Sequence, residues 1–154
     1  MGAKVKNPRK KFLWSIMFPK HPINTYLFQS CTLPDIEIDQ VAHGDVNRDV
    51  KTAGRVTIGN LIVEKLMTTA GSDTWLHDWL YACQDHIVGG GLVPSQYWET
   101  AIVNELAEDG VSVLNTHVFE EVWPCKITGL DLDRMASENT IESIEFSVGT
   151  SHKY

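Results

Sequence analysis

The stretch Val122-Trp123-Pro124-Cys125-Lys126-Ile127-Thr128-Gly129 decides how the rest of this 154-residue chain is read. Proline donates no backbone hydrogen bond and holds the residue before it in extended geometry, so Trp123-Pro124 predicts the end of a strand. Just upstream, residues 97–106 and 112–123 are strand-like runs joined by Glu108-Asp109-Gly110, whose residue types suit a hairpin turn. Downstream, residues 139–148 alternate, with Ile144, Phe146 and Val148 on one face and Ser143, Glu145 and Ser147 on the other.

The N-terminal half extends the same pattern. Residues 12–18 and 26–33 are short apolar runs closed by Pro19 and Pro34, and both read as buried strands. In residues 35–41, Ile36 and Ile38 point one way while Asp35, Glu37 and Asp39 point the other, so the isoleucines are expected to seal a core. Residues 42–59 are polar, with glycines at 44, 54 and 59 and alternating Val50, Val56 and Ile58, and they read as a long hairpin excursion. Residues 61–67 predict a further strand.

Residues 73–86 predict a helix. Trp75, Leu76, Trp79, Leu80, Ala82 and Cys83 share an apolar arc, Ser72 can cap the start, and Gly89-Gly90-Gly91 stops it. Many strands and one internal helix make the chain mainly β: a small β-barrel or sandwich with one flanking α-helix and a long hairpin loop.

Composition is that of a globular domain, 43% hydrophobic and 21% charged. No apolar run approaches a membrane span and the basic leader lacks a signal peptide's apolar stretch, so no membrane anchor is expected. Cys31, Cys83 and Cys125 lack CxxC spacing and read as small buried hydrophobes in a reducing compartment.

The charge is uneven. Six of the 13 bases fall in the first 20 residues and no acid precedes Asp35, which leaves seven bases against all 20 acids in the remainder. The chain therefore divides into a basic N-terminal arm, residues 1–11, and a single acidic domain, residues 12–154. The arm, with Lys4, Lys6, Arg9, Lys10 and Lys11, is either a solvated terminus or a segment that docks on an acidic surface such as a neighbouring copy. Nucleic-acid binding by the arm is disfavoured by the acidic body.

No motif carries catalysis. The six histidines form no HExxH pair. Cys83 and His86, three apart on the helix, need further ligands from distant strands to make a zinc site. The glycine run follows a helix instead of preceding one, so it is no phosphate loop. Asp35, Glu37 and Asp39 suit acid–base or calcium chemistry in principle, but carboxylates two apart on a strand commonly form a solvated face. The expectation is no metal, no cofactor and no enzyme. A β-barrel nucleic-acid-binding module is the alternative from a different class, and it calls for a basic, aromatic-studded face.

From about residue 12 to residue 148 the chain resembles the tail tube proteins of contractile bacteriophages. The resemblance rests on Ala53-Gly54, on Gly59-Asn60-Leu61-Ile62-Val63-Glu64-Lys65, on the helix with Trp75 and Trp79, on the Trp123-Pro124 signature, and on the Glu-rich final strand. Ala53 stands where the family's proline is expected, Ile62 where a threonine is, and Leu66 where a glycine is.

The resemblance implies a subunit of six-membered rings, stacked into a tube that conducts viral DNA within a contracting sheath. Implied partners are further copies of the chain, the sheath, the baseplate and tail terminator proteins, and DNA that passes without specific binding. The implied location is the virion tail, preceded by the host cytoplasm. The tubes of R-type bacteriocins and of type VI secretion share the fold and remain alternatives.

Within such a tube, Asp35, Glu37 and Asp39 are expected to face the lumen, where a negative wall repels phosphates. Asp45, Asn47, Arg48, Asp49 and Lys51, in the long excursion, are expected to reach an adjacent ring.

Overall fold

The structure is a computed structural model and describes residues 8–21, 28–67 and 74–154. In chain order the elements are β1 (Trp14–Met17), β2 (Phe28–Thr32), β3 (Ile36–Gly44), β4 (Asp49–Ile58), β5 (Leu61–Leu66), α1 (Trp75–Cys83), α2 (Pro94–Tyr97), β6 (Glu99–Leu106), β7 (Val113–Ile127), β8 (Ile141–Ser147) and β9 (Thr150–Lys153). The chain is mainly β, as expected. The helix, the β6–β7 hairpin and the strand pattern of the C-terminal half lie close to where the sequence placed them.

One seven-stranded sheet runs β1-β6-β7-β8-β5-β2, with β9 added to β7. All its pairings are antiparallel. It folds over on itself because β7 bends. The N-terminal part of β7 pairs with β6 and β9, and its C-terminal part, from Trp123 onward, pairs with β8. Strands β8 and β9 follow the same bend on the opposite edge.

The bend has two chemical causes. Glu121 holds φ of 57°, a left-handed conformation that L residues avoid. Gly149, in the turn from β8 to β9, lies so close that a Cβ there would sit 2.6 Å from the Glu121 Cβ. Only glycine lets the two strands turn the corner together.

Pro124 does not end the strand, which corrects the expectation drawn from it. β7 continues to Ile127, and Pro124, fully buried, faces Phe146 beside an irregularity in register between Pro124 and Lys126. A bulge is one of the few places where a ladder tolerates a residue with no N–H to donate.

Inside the fold, Ile16, Phe18, Leu61, Val63, Ala101, Val103, Phe119, Val122, Ile144 and Phe146 form the core, with Trp75, Leu76, Trp79 and Cys83 of α1 laid across it. Phe18 is its hub, with ring centroids 5.2 Å from Phe146 and 5.9 Å from Trp75. The indole N–H of Trp79 donates to the Tyr97 carbonyl at 2.8 Å, so that polar atom is not stranded.

α1 is shorter than predicted, with Thr74 at its N-cap and no side-chain cap bond. The cap expected from Ser72 lies outside the described residues. At the other end Gly91 packs against Cys83, where its Cβ would meet the Cys83 carbonyl. The hairpin turn behaves as predicted: Gly110 takes φ of 74°, and the Asp109 carboxylate accepts from the Val111 and Ser112 amides at 2.9 Å.

Other expectations need correction. Cys31 is half-buried and Cys83 buried, but Cys125 is exposed, because β7 turns it outward beyond the bulge. Burial pushes the Cys31 thiol up to about 12 and, with the nearby Glu99 charge, the Cys83 thiol up to about 11. Since the thiolate is the reactive species, a disulfide-exchange reagent at pH 8 is expected to label Cys125 first. Labelling of Cys31 and Cys83 is expected to need denaturant; peptide mapping of the labelled thiols checks this order. Trp98, inside the run 97–106 expected to be strand, caps the short α2 instead and is 36% exposed. Strand β9 and the short turn α2 had no counterpart among the predicted elements.

Candidate assembly surface

Among the described residues two features of the fold are left open: a ribbon and a pair of strand edges. The ribbon is the two-stranded sheet β3–β4, which pairs with nothing else among the described residues. β3 has nine residues and is exposed throughout, and in β4 only Ile58 is half-buried. At about 3.3 Å per residue the ribbon extends roughly 30 Å.

Its pairing fixes its faces. Ile36 pairs with Ile58 and Ile38 with Val56, which puts these four side chains together on one face. Glu37 pairs with Thr57 and alternates with them, so it lies on the other face, as does Asp39. A register irregularity between Ile38 and Gln40 marks a bulge, where a Cβ on Gly54 would sit 3.1 Å from the Asp39 carbonyl, a tight contact.

The alternation read from residues 35–41 is therefore present, but the core it was expected to seal is not. Ile36 is 58% exposed, Ile38 53% and Val56 58%. An apolar face on an uncovered ribbon is unusual, because a two-stranded ribbon alone is marginal in water. Of the three acids expected together, Glu37 and Asp39 share the ribbon face opposite the isoleucines. Asp35 sits at the base, where its carbonyl accepts from the Gly59 amide at 2.8 Å.

The long excursion expected from residues 42–59 is mostly strand, and its loop is short. Asp45 donates its amide to the Arg48 carbonyl at 2.8 Å, and the Asp45 carboxylate caps the Val46 amide at 2.7 Å. Asp45, Asn47 and Arg48 thus form the ribbon tip, while Asp49 and Lys51 stand on its first rungs opposite Gly44 and Ala42. The hairpin reading of this stretch therefore holds, with most of its length in the paired strands β3 and β4.

The edges, unpaired among the described residues, belong to β1 and β2, the two ends of the seven-stranded path. Between them runs a cleft of about 760 Å³, lined in part by Phe12, Trp14, Ile16, Phe28 and Cys31. Edge strands with unpaired N–H and C=O groups are templates for another strand.

Of the arm, Lys4 and Lys6 lie outside the described residues. Arg9, Lys10 and Lys11 stand beside β6, and the Arg9 guanidinium pairs with the Glu105 carboxylate. Glu142 and Glu145 sit on opposite faces of β8. Glu142 is 2% exposed and lies with a carboxylate oxygen 3.1 Å from His77 Nε2, whereas Glu145 faces Lys126. His86, paired in sequence with Cys83 as a zinc candidate, packs on Tyr81 instead.

The comparisons with known proteins agree with this geometry. The sequence profile of the family described as "T4-like virus tail tube protein gp19" matches residues 10–150, so the chain belongs to that family. It is similar to the tail tube protein gp19 of Enterobacteria phage T4, with 26% identity over 131 residues, 83% of this chain and 79% of that protein. The fold is that of a cryo-EM structure of the anti-feeding prophage cap, with a TM-score of 0.82 at 16% identity, covering 100% of this chain and 95% of that one. It is likewise that of a chain in the PVC sheath–tube complex of an extracellular contractile injection system, with a TM-score of 0.79 at 18% identity over 97% of this chain and 93% of that one. The family resemblance seen in the sequence holds, and the chain is a tail tube protein of the contractile-tail type.

Proposed function

We propose, from the chain's membership of the tail tube family, that copies of it assemble edge to edge into six-membered rings and that the rings stack into a tube. The observation that carries this is the ribbon: an apolar face of Ile36, Ile38 and Val56 that its own subunit leaves uncovered. Covered by a neighbouring copy, that face becomes core, and the open edges of β1 and β2 gain partners. Ring closure removes edges, which otherwise invite uncontrolled pairing.

In this arrangement the opposite ribbon face, with Glu37 and Asp39, and Asp35 at its base, turns to the lumen. The six copies then ring the channel with carboxylates, and a DNA duplex slides past a wall that repels its phosphates. Replacing Asp35, Glu37 and Asp39 together by lysine is expected to leave assembly intact and to slow or block DNA release from particles carrying the variant. Release at the unmodified rate would take these acids off the lumen.

The ribbon tip, with Asp45, Asn47, Arg48, Asp49 and Lys51, reaches the next ring. Deleting residues 45–53 is expected to leave a folded subunit that forms no long tubes. Tubes of unimpaired length would exclude the tip from stacking.

The structural relatives described as a sheath–tube complex and a tube-terminating cap support a sheath and a terminator as further partners. A baseplate completes the set, with the tail as the location and the cytoplasm of the host as the place of synthesis. The basic arm, residues 1–11, adds a docking element on the single domain of residues 12–154. No reaction is assigned to the chain: it is a building block, and its two most buried thiols are held far from the thiolate form that chemistry would need.

A further inference from the structure

Glu105 stands at the end of the inward row of β6 that holds Ala101 and Val103, both buried. A carboxylate at the rim of a core costs free energy unless it is paired. Three donors meet it. Asn115, its direct register partner on β7, donates Nδ2–H at 3.1 Å. His117, two residues along the same strand, lies with Nε2 at 3.0 Å. The third is the Arg9 guanidinium, 96 residues away in sequence. These contacts, the His117 hydrogen bond foremost and against the opposing effect of burial, hold the Glu105 carboxyl below the usual carboxylate range. Asn115 and His117 sit on a paired strand, so the receptor for the guanidinium is rigid before the arm arrives.

A second tie secures the same segment. Leu106 donates its amide to the Leu13 carbonyl at 2.9 Å, and Leu13 donates back to Lys10 at 3.3 Å. Residues 9–13 are therefore fixed at both ends, and Lys10 and Lys11 line a cavity of about 280 Å³ with Leu13, Trp14, Cys31 and Leu33.

We propose that Glu105, with Asn115 and His117, is the positioning residue of residues 9–13: it holds the exposed Lys10 and Lys11 in place beside β1 and β6, so that they meet the acidic body of a second copy. The role rests on the tube function proposed above. Its charge logic is complementary: Lys10 and Lys11 stand in a stretch with no acid before Asp35, whereas residues 21–154 carry seven bases and 20 acids. Anchoring lowers the ordering cost of docking a chain segment.

The test uses Glu105→Arg, Arg9→Glu and the doubly swapped chain, each read in two ways. In the single subunit, tryptic cleavage after Lys11, followed by mass spectrometry, reports release of the anchor without any assembly. Loss of a charge-assisted pair with the Arg9 side chain more than half exposed predicts about two- to fivefold faster cleavage in either single variant, recovering to about the natural rate in the double. In assembly, tube yield is expected to fall in both single variants and to recover in the double. Recovery by the swap separates positioning from a merely structural effect of either residue, and Arg9→Glu carries the test should Glu105→Arg fold poorly. Unchanged cleavage in both single variants would overturn the anchor. Faster cleavage with undiminished tubes would overturn its role in assembly. A natural chain that forms no tubes would instead overturn the tube function, while the cleavage result still stood.

Discussion

Replacing Ile38 and Val56 together by aspartate is expected to abolish tube formation and leave the subunit folded. Both side chains are more than half exposed in the single chain, so the substitution removes little of the subunit's own stability. Their melting temperature is expected to stay within about 2 °C, as surface changes away from core features cost under about 0.5 kcal/mol. In the tube, the same two positions are buried against a neighbour. Each forfeits about 1 kcal/mol of apolar burial and adds a carboxylate that must be desolvated, at several kcal/mol. The concentration needed for assembly is expected to rise at least about a hundredfold. Light scattering across a concentration series measures it, and assembly at the natural concentration would show that the apolar ribbon face is not an interface.

The second large effect concerns the corner of the sheet. Gly149→Ala places a methyl group 2.6 Å from the Glu121 Cβ and 3.0 Å from its Cδ, with the Glu121 carboxylate oxygen closer still. The nearest of these atoms can swing away, but the Cβ cannot move without the backbone. Overpacking of this kind costs about 1–3 kcal/mol, or roughly 3–10 °C of melting temperature for a domain of this size. Glu121→Gly is expected to act oppositely, because it removes both the strained left-handed φ of a non-glycine residue and the side chain that crowds Gly149. The double variant is therefore expected to melt close to the natural chain. Calorimetry of the three variants checks the coupling; additive effects would mean that the two residues do not share the corner.

That corner also shows where sequence reading stops. Periodicity identified the core rows of β8 and of α1, because a buried side and an exposed side leave a rhythm in the residue types. Gly149 and Glu121 leave none. They matter only because β7 and β9 lie side by side, a pairing between Glu120 and Thr150 that local sequence does not announce. Pro124 misled for a related reason: its local preference to end a strand is overridden by the bulge that absorbs its missing donor.

The candidate surface was half legible. The opposition of Ile36 and Ile38 to Glu37 and Asp39 was plain in the alternation, but whether the apolar side met its own core or a neighbour's is a tertiary fact. Glu105 carried no local signal either, since its partners Asn115 and His117 come across a hairpin and Arg9 from the far end of the chain.

The central claim is that this subunit completes its fold by joining copies of itself around a channel. Negative-stain electron microscopy of the purified natural chain, at concentrations rising from the micromolar to the millimolar range, tests it most directly. Six-fold rings with a central hole, lengthening into hollow tubes as concentration rises, are the predicted result. Uniform single particles without rings at every concentration would contradict it.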